Sequence, residues 1–479
     1  MKKWTRGLAL LMMLVLVVGV FSACGDEPTN GDGSSTTTTT GTNNVLGEDK
    51  VVDMGGKEFI VASAWLRNTP PRNATTFERL WHQQKEKVEK DYNCKITIET
   101  FYASMEGMLP KILAKDKVGD VVQMISDMWM PAVGAGYLRP WEDVSDVVNI
   151  NDPRWISPDS TAVNGKHYVL DFERPGDVGT ILWYNKDVLA KAGITEDPAQ
   201  LAKEGKWTWE KFREMLQSCT MDTDNDGAKD VFGLVSFTGY SDIAFSLARS
   251  NGSGMLSLSG QTFTNEYTTP AFMEAINFFD KLVNTDKVLR IYDNMTGGEE
   301  TWNNMPATDT IFGEFRNGVV GFMSGRMWVG NQQLKPYMTS NYGMVVYPKG
   351  PQASDYILDA QTMGGYALTV TNKDYKNSAI IFNALAHPVE GYEDDAVMQE
   401  VIASDFFQDG DTNSYDMYKL AAQKVKVDFG YGVRPLYSQV NHAIIQSVFW
   451  HIDTPAAAIE GLKGLSDEDV SFTYEQLFK

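Results

Sequence analysis

Apolar positions along this chain change their spacing in a repeating order. Lys57–Ala62 is a short β-rich run, after which Phe77, Leu80, Trp81, Val88 and Tyr92 recur at helical spacing. Ile96 and Ile98 alternate as in a strand, Met108, Leu109, Ile112 and Leu113 predict another helix, and Asp120–Ile125 is a short buried strand. Strand, helix, strand, helix, strand predicts an α/β lobe around a largely parallel sheet. A second series begins with the apolar strand Val178–Tyr184 and a helix over Lys186–Ala192 that Gly193 closes. Thr208 is placed to cap a helix whose one face carries Trp209, Phe212 and Leu216. Phe272, Ile276, Phe279 and Val283 mark a further helix, and a helix ending near Asn317 and Gly318 leads into the strand Val319–Met323. Strands at Gly343–Val346 and Tyr366–Val370 follow, then helices at Asn377–Ala386, Gln439–Trp450 and Pro455–Leu462. There is no internal repeat.

The first residues stand apart from this series. Lys2, Lys3 and Arg6 form a basic start, Leu8 to Val20 an apolar run, and Phe21, Ser22, Ala23 and Cys24 its close. This reads as a targeting segment over residues 1–23; an ordinary secretory signal or a membrane helix are the alternatives, and the run is short for a span. Small residues at Ser22 and Ala23 suit a peptidase pocket, and the following Cys24 can carry a diacylglyceryl thioether. The segment resembles a bacterial lipobox, with Phe21 where Leu is commoner, which implies a lipid anchor at the extracytoplasmic face. Residues 24–49 are rich in Thr, Ser, Gly and Asn, including Thr36 to Thr40, and form a flexible tether.

Removing residues 1–23 takes away Lys2, Lys3 and Arg6 and no acid, so the formal charge moves from −21 to −24. Nucleic acid is therefore a poor partner. The chain beyond the tether, about 430 residues, exceeds what one core supports, so two lobes are expected. Apolar residues make up 43%, with 12 Trp, 20 Tyr and 23 Phe, enough to fill both. Cys94 and Cys219 lie far apart on regular elements and are read as free buried thiols rather than a disulfide.

Four separated stretches carry a resemblance. Gly119 to Val144 (GDVVQMISDMWMPAVGAGYLRPWEDV) resembles a strand, ligand loop and GxLxPL helix end; Ile181 to Phe212 joins LWYNKDVLAKAGI to WTWEKF. Phe315 to Trp328 reads FRNGVVGFMSGRMW, and Tyr342 to Ala386 joins YGMVVYPKGP to GGYALTVTNKDYKNSAIIFNALA. In this order they resemble the family 1 extracellular solute-binding proteins, which include the maltodextrin-binding receptors. Beyond residue 390 only Asp453 to Gly461 (DTPAAAIEG) is similar. The resemblance implies a two-lobe periplasmic-binding-protein-like fold of type II, each lobe a mostly parallel sheet flanked by helices, with a hinge between. Lobe 1 would comprise residues 50–175 and 355–395, and lobe 2 residues 176–354 and 396–479. It further implies a monomeric receptor of an ABC importer that closes on a sugar or oligosaccharide and passes it to the permease subunits, without catalysis of its own.

Sugars present apolar C–H faces and rings of hydroxyls, so their sites need flat rings beside fixed donors and acceptors, at the carboxyl ends of strands. Trp65 follows the first strand, Asp127 and Trp129 follow Asp120–Ile125, and Arg326 and Trp328 follow Val319–Met323. The resemblance makes Asp127 the hydroxyl acceptor and Trp328 the stacking ring; Tyr366 would approach from lobe 1, and Tyr431 with Arg434 from the C-terminal part. Each of these rings can equally be core. Trp183 and Tyr184 are expected to pack at the hinge. Asp222, Asp224, Asp226, Ala228 and Asp230 fit the first nine positions of an EF-hand calcium loop, with Gly227 at the sharp turn. Gly233 stands where a bidentate glutamate belongs, so a solvated acidic turn is the other reading.

The rival class is a secreted carbohydrate-active enzyme, whose two carboxylates sequence cannot single out among 63 acids. There is no GxSxG elbow, HExxH pair or phosphate loop, and His82, His167, His387, His442 and His451 are scattered without ligand spacing, which also argues against a zinc or manganese receptor. A receptor for a peptide or another non-sugar solute is the alternative within the binding class; the aromatic content favours a sugar.

Overall fold

The computed structural model describes residues 51–478 except 65, 72–73, 101–109, 112–113, 153, 156–157, 159–161, 173–177, 293–307, 361–363 and 393. The targeting segment, the tether and Cys24 lie outside the described residues, as does most of the helix expected around Met108–Leu113.

Among the described residues, nine strands build the two larger sheets. β1 Lys57–Ser63, β2 Cys94–Thr100, β3 Val121–Met124 and β4 Leu138–Arg139 come first, then β5 Ile181–Asn185, β6 Phe232–Ser236, β7 Val320–Gly325 and β8 Tyr342–Val345, and last β9 Gly365–Thr369. The first sheet has the order β2-β1-β3-β9-β4 and the second β8-β5-β7-β6. The chain thus leaves the first sheet after β4, makes the second, and returns as β9.

The parallel expectation holds for β1 with β2 and β3, and for β6 with β7. β5 and β9, the strands that each crossing feeds, run antiparallel to their neighbours instead. The physical reason is the way in. Ile181 at the start of β5 pairs with Gly325 at the end of β7, and Gly365 at the start of β9 pairs with Met124 at the end of β3. A chain arriving directly from the other sheet enters where the parallel strands stop, without the helical crossover that parallel pairing needs.

Side chains of the first sheet alternate between two cores. Phe59, Val61, Ile96, Ile98, Val121, Tyr366 and Leu368 point to a core shared with Trp81, Trp141 and Phe382, whereas Ala62, Val122, Met124 and Ala367 face the larger core that also fills the second sheet. Helices are set by caps where sequence predicts them: Thr208 accepts from the Lys211 amide at 3.4 Å ahead of the helix Trp209–Cys219. The helix Tyr240–Ser250 has no such signature because all eleven residues are buried, which erases the polar face on which periodicity depends. The last helix, Pro455–Phe478, runs well past the expected Leu462, with Ser466 buried against Tyr267. Cys94 and Cys219 are free thiols; Cys219 is buried and Cys94 half-buried, and desolvation pushes them up to about 12 and about 11. Trp183 and Tyr184 pack inside the second body: Trp183 meets Tyr342 and Phe407, and the Tyr184 hydroxyl donates to Asp197 at 3.0 Å.

The crossing segments bond to each other. Leu170 and Tyr366 exchange backbone hydrogen bonds of 3.0 and 2.8 Å, and the Thr180 amide donates to the Asp359 carbonyl at 3.1 Å. Leu358–Ala360 also pairs in parallel with Val425–Val427, so the C-terminal part is stitched to the crossing. Beside that pair, Asp428 accepts from the amides of Met255, Leu256 and Gly430 at 2.7, 3.0 and 2.8 Å and lies 3.0 Å from Arg249 Nη2. Both side chains are buried. Asp428→Ala leaves three buried amides without their acceptor and Arg249 with the more distant Glu266, 3.5 Å away, as its remaining ion-pair partner among the described residues, and is expected to cost about 3–5 kcal/mol. Urea unfolding of the variant reads this as a lowered midpoint; an unchanged midpoint would mean that Asp428 contributes nothing to the fold.

Candidate functional site

Because β6 and β7 are parallel, their carboxyl ends lie side by side, and the residues that follow them share one surface. Phe237 and Thr238 follow β6, with Asp242 in the helix Tyr240–Ser250 behind them; Arg326 and Trp328 follow β7. Trp328 is 37% exposed, one of few large apolar side chains to reach solvent. Its ring forms near-perpendicular pairs with Phe237 at 5.3 Å and Phe312 at 5.9 Å, which brace it while the side chain stays accessible.

Arg326 is oriented from three sides. Its Nη1 donates to the Thr180 hydroxyl at 2.7 Å, its Nη2 lies 3.8 Å from the buried Asp242, and its carbonyl accepts from Trp183 Nε1 at 3.1 Å. Asp242 itself accepts from the Thr238 hydroxyl. Thr180 belongs to the first crossing segment, so this corner of the second sheet sits against the crossing.

The first sheet reaches the same crossing from the other side. A Cβ on Gly364 would fall 1.9 Å from the Met124 carbonyl and 2.6 Å from Ile125 Cα, a closeness that only glycine permits. Asp127 lies in the helix Ser126–Gly134 directly behind Met124 and Ile125; its side chain is outside the described residues. The loop after β1 is fixed on both sides of Trp65, with the Ala64 amide on Gln123 Oε1 at 3.0 Å and the Leu66 amide on Ser63 Oγ at 3.0 Å. Trp65 itself, and the side chain of Arg434, are likewise outside the described residues.

Three expected ligand rings are buried. Trp129 is 1% exposed, packed against Phe429, because its helix is wedged between the first sheet and the C-terminal part. Tyr366 is fully buried between Phe172 and Phe382, on the face of β9 that it shares with Leu368. Tyr431 is buried against Phe245 and Tyr437, and its hydroxyl donates to Asp359 Oδ2 at 2.7 Å. In this structure Trp129, Tyr366 and Tyr431 are thus buried in packed surroundings and do not present a ring to solvent, contrary to the open platforms expected from sequence. Sequence reasoning in turn missed Phe237, Thr238 and Asp242, because β6 went unrecognised behind the acidic turn; with that strand placed, the strand-end rule finds all three.

Asp359 lies in the second crossing segment, fully buried. Desolvation pushes its carboxyl up to about 6, and Asp428 adds to the shift, while Arg249, the Tyr431 hydroxyl and Arg326 oppose it. Tyr431 is in turn held well above the ordinary tyrosine range by burial and then by Asp359.

In the acidic turn, one carboxylate oxygen each from Asp222, Asp224 and Asp226 lie within 4.8 Å of one another. Oxygens bound to one calcium ion at about 2.4 Å are at most about 4.8 Å apart, so these three fit. Asp230 does not join them: its Oδ2 accepts from the Thr223 amide at 2.6 Å and the Thr223 hydroxyl at 2.5 Å, which holds its pKa low. The Ala228 amide donates to Asp226 Oδ1 at 2.7 Å.

Residues 70–386 match the family described as bacterial extracellular solute-binding protein. A comparison with curated protein sequences finds no match. Among solved structures, the chain is similar to an ABC substrate-binding protein of Listeria monocytogenes in complex with cycloalternan, with 14% identity over 87% of this chain and 99% of that one and a TM-score of 0.60. It is similar to a maltose-bound protein of T. maritima at 15% identity, 87% and 100% coverage and a TM-score of 0.57. A Mycobacterium tuberculosis protein in complex with glycerophosphocholine has 12% identity, 87% and 99% coverage and a TM-score of 0.60. At these identities the likeness shows the two-lobe fold.

A buried acid whose pKa is raised on folding stabilises the fold less as it ionises. Its contribution is most favourable below the unfolded value near 4 and declines as pH rises to about 6. Asp359→Asn keeps the shape and removes this decline, so its stability relative to the parent should rise between pH 4 and 6.5, by on the order of 3 kcal/mol at most. Parallel urea titrations across that range measure the difference; a difference flat with pH would mean that Asp359 does not titrate there.

Proposed function

This chain belongs to the bacterial extracellular solute-binding protein family, and on that premise we propose that it is the lipid-anchored receptor of an ABC importer, capturing a sugar or oligosaccharide between its lobes. The observation that carries the reading is the accessible indole of Trp328, braced by Phe237 beside the oriented guanidinium of Arg326 at the strand ends. A flat apolar ring next to fixed hydrogen-bond donors matches the two chemical faces of a sugar. Asp127 and Trp65 contribute from the first lobe. The protein binds and releases its solute without turning it over, and passes it to the permease from a membrane-tethered position at Cys24. Sugar recognition in similar receptors supports this, since those in complex with cycloalternan and maltose share the fold.

A polar solute other than a sugar is the second reading. The cation Arg326 at the crossing favours it, together with the similar receptor in complex with glycerophosphocholine. A thermal-shift screen of the mature protein against oligosaccharides, peptides and glycerophosphodiesters separates the two, and a stabilising sugar is expected; stabilisation only by the other classes would overturn the sugar reading. Trp328→Ala should weaken that sugar's binding on the order of 10–100-fold, about 1.4–2.8 kcal/mol, with the unfolding midpoint kept. Calorimetric titration reads this, and parental affinity would remove Trp328 from the site.

Asp222, Asp224 and Asp226 hold a structural calcium ion in this proposal, with Ala228 offering its carbonyl and water completing the shell. Saturating calcium at about 100 times Kd adds about 2.7 kcal/mol to stability. Adding a chelator should lower the melting temperature of the parent protein and leave Asp224→Ala unmoved. Equal responses of the two would leave the solvated-turn reading.

A further inference from the structure

Away from the crossing, a polar contact joins the helix Thr76–Asp91 to the helix Asp395–Phe406. The helix Thr76–Asp91 belongs to the first body: its Trp81 and Val88 pack in the core with Phe59 and Ile96, and Gln84 Nε2 donates to the Ala384 carbonyl at 3.0 Å. The helix Asp395–Phe406 ends in the second. There Tyr342 donates its hydroxyl to the Phe406 carbonyl at 3.2 Å, Phe407 packs on Trp183, and Lys335 Nζ donates to the Phe407 carbonyl at 2.5 Å. Between the two, Asp405 accepts from the Thr76 amide at 2.7 Å and from the Thr76 hydroxyl at 2.9 Å.

The first helix has its own cap. Thr75 Oγ1 accepts from the Glu78 amide at 3.0 Å and the Thr75 amide donates to Glu78 Oε2 at 2.7 Å. The capping box leaves the Thr76 amide unserved, since the first amides of a helix have no acceptor within it. In this structure that acceptor comes from the other body, and its negative charge suits the positive end of the helix. A cavity of about 230 Å³ lies beside the contact, with Ala74, Thr75, Lys335 and Asp405 among its lining residues.

We infer that Asp405 is a positioning residue for capture: a latch that engages the Thr76 end of the helix when the lobes come together and sets how much of the protein is closed. The latch does not depend on which solute the cleft takes, so it stands or falls separately from the sugar reading.

Thr76→Pro is the discriminating variant. Proline is favoured at the first helical position, and Thr75, at φ −62° and ψ 164°, already has the extended backbone that a residue before proline adopts. The substitution removes both the amide hydrogen and the hydroxyl that Asp405 receives while preserving the helix. Spin labels at the exposed positions 90 and 218, one in each body, report the interlobe distance in the full-length protein without added solute. Thr76→Pro and Asp405→Ala should each shift the closed-to-open ratio about tenfold toward the longer distance, about 1.4 kcal/mol, with the urea midpoint kept. The double variant should shift no further than either alone. Asp405→Asn, which keeps shape and loses charge, should fall between. Distance distributions in Thr76→Pro and Asp405→Asn that match the parent would overturn the latch, as would shifts that add in the double variant.

Discussion

Arg249 is a fully buried cation, and the chain crosses between its two sheets around it. Asp428 lies 3.0 Å away, Glu266 3.5 Å away, and Asp359 in the second crossing segment adds to the same field. Charges removed from water to this degree cannot be separated without leaving one uncompensated. The helix Tyr240–Ser250, the C-terminal segment through Asp428 and Tyr431, and the crossing at Asp359 are therefore obliged to stay together. This ties a part of the chain more than four hundred residues along to a crossing made much earlier, and gives the second body an edge against which the first is set.

The site follows from that edge. Both crossings enter their sheets beside the carboxyl ends of parallel strands, so the loops after β3 and β7 meet the same pair of segments from opposite sides. Gly364 touches the end of β3, while Thr180 holds Arg326 at the end of β7. The meeting of these strand-end loops at the crossing is thus a consequence of connectivity. What distinguishes it chemically is that Trp328 remains accessible where most aromatic side chains of the same body are enclosed.

Much of this could be read from sequence, and what could not has identifiable causes. β1, β3, β5, β7, β8 and β9 were recoverable to within a few residues, because short β-rich runs bounded by helices leave little choice. The strand β6 and the helix Tyr240–Ser250 were not: the first follows a polar turn, and the second is buried on every side and shows no polar face. Within the site, residue type identified flat rings but not their direction. Tyr366 shows the limit, since period-two alternation groups it with Leu368 and separates it from Ala367 without saying which group meets the cleft. Trp328 escapes the ambiguity by lying beyond the end of its strand. Tyr431 and Asp359 form a contact across 72 residues, which no local pattern announces.

The two ends of the interlobe seam differ in kind. At the crossing the chain is bound by backbone pairing and desolvated charge; at the Thr76 end it is bound by two hydrogen bonds next to a cavity. A solute can change the balance between open and closed forms only by its differential affinity for them. A seam packed with apolar side chains along its whole length would set that balance far to one side and demand a correspondingly large difference. In the latch proposal, the Thr76 end adds to the seam a polar contact that water can replace when the lobes part, so that end contributes little to the difference between the two forms.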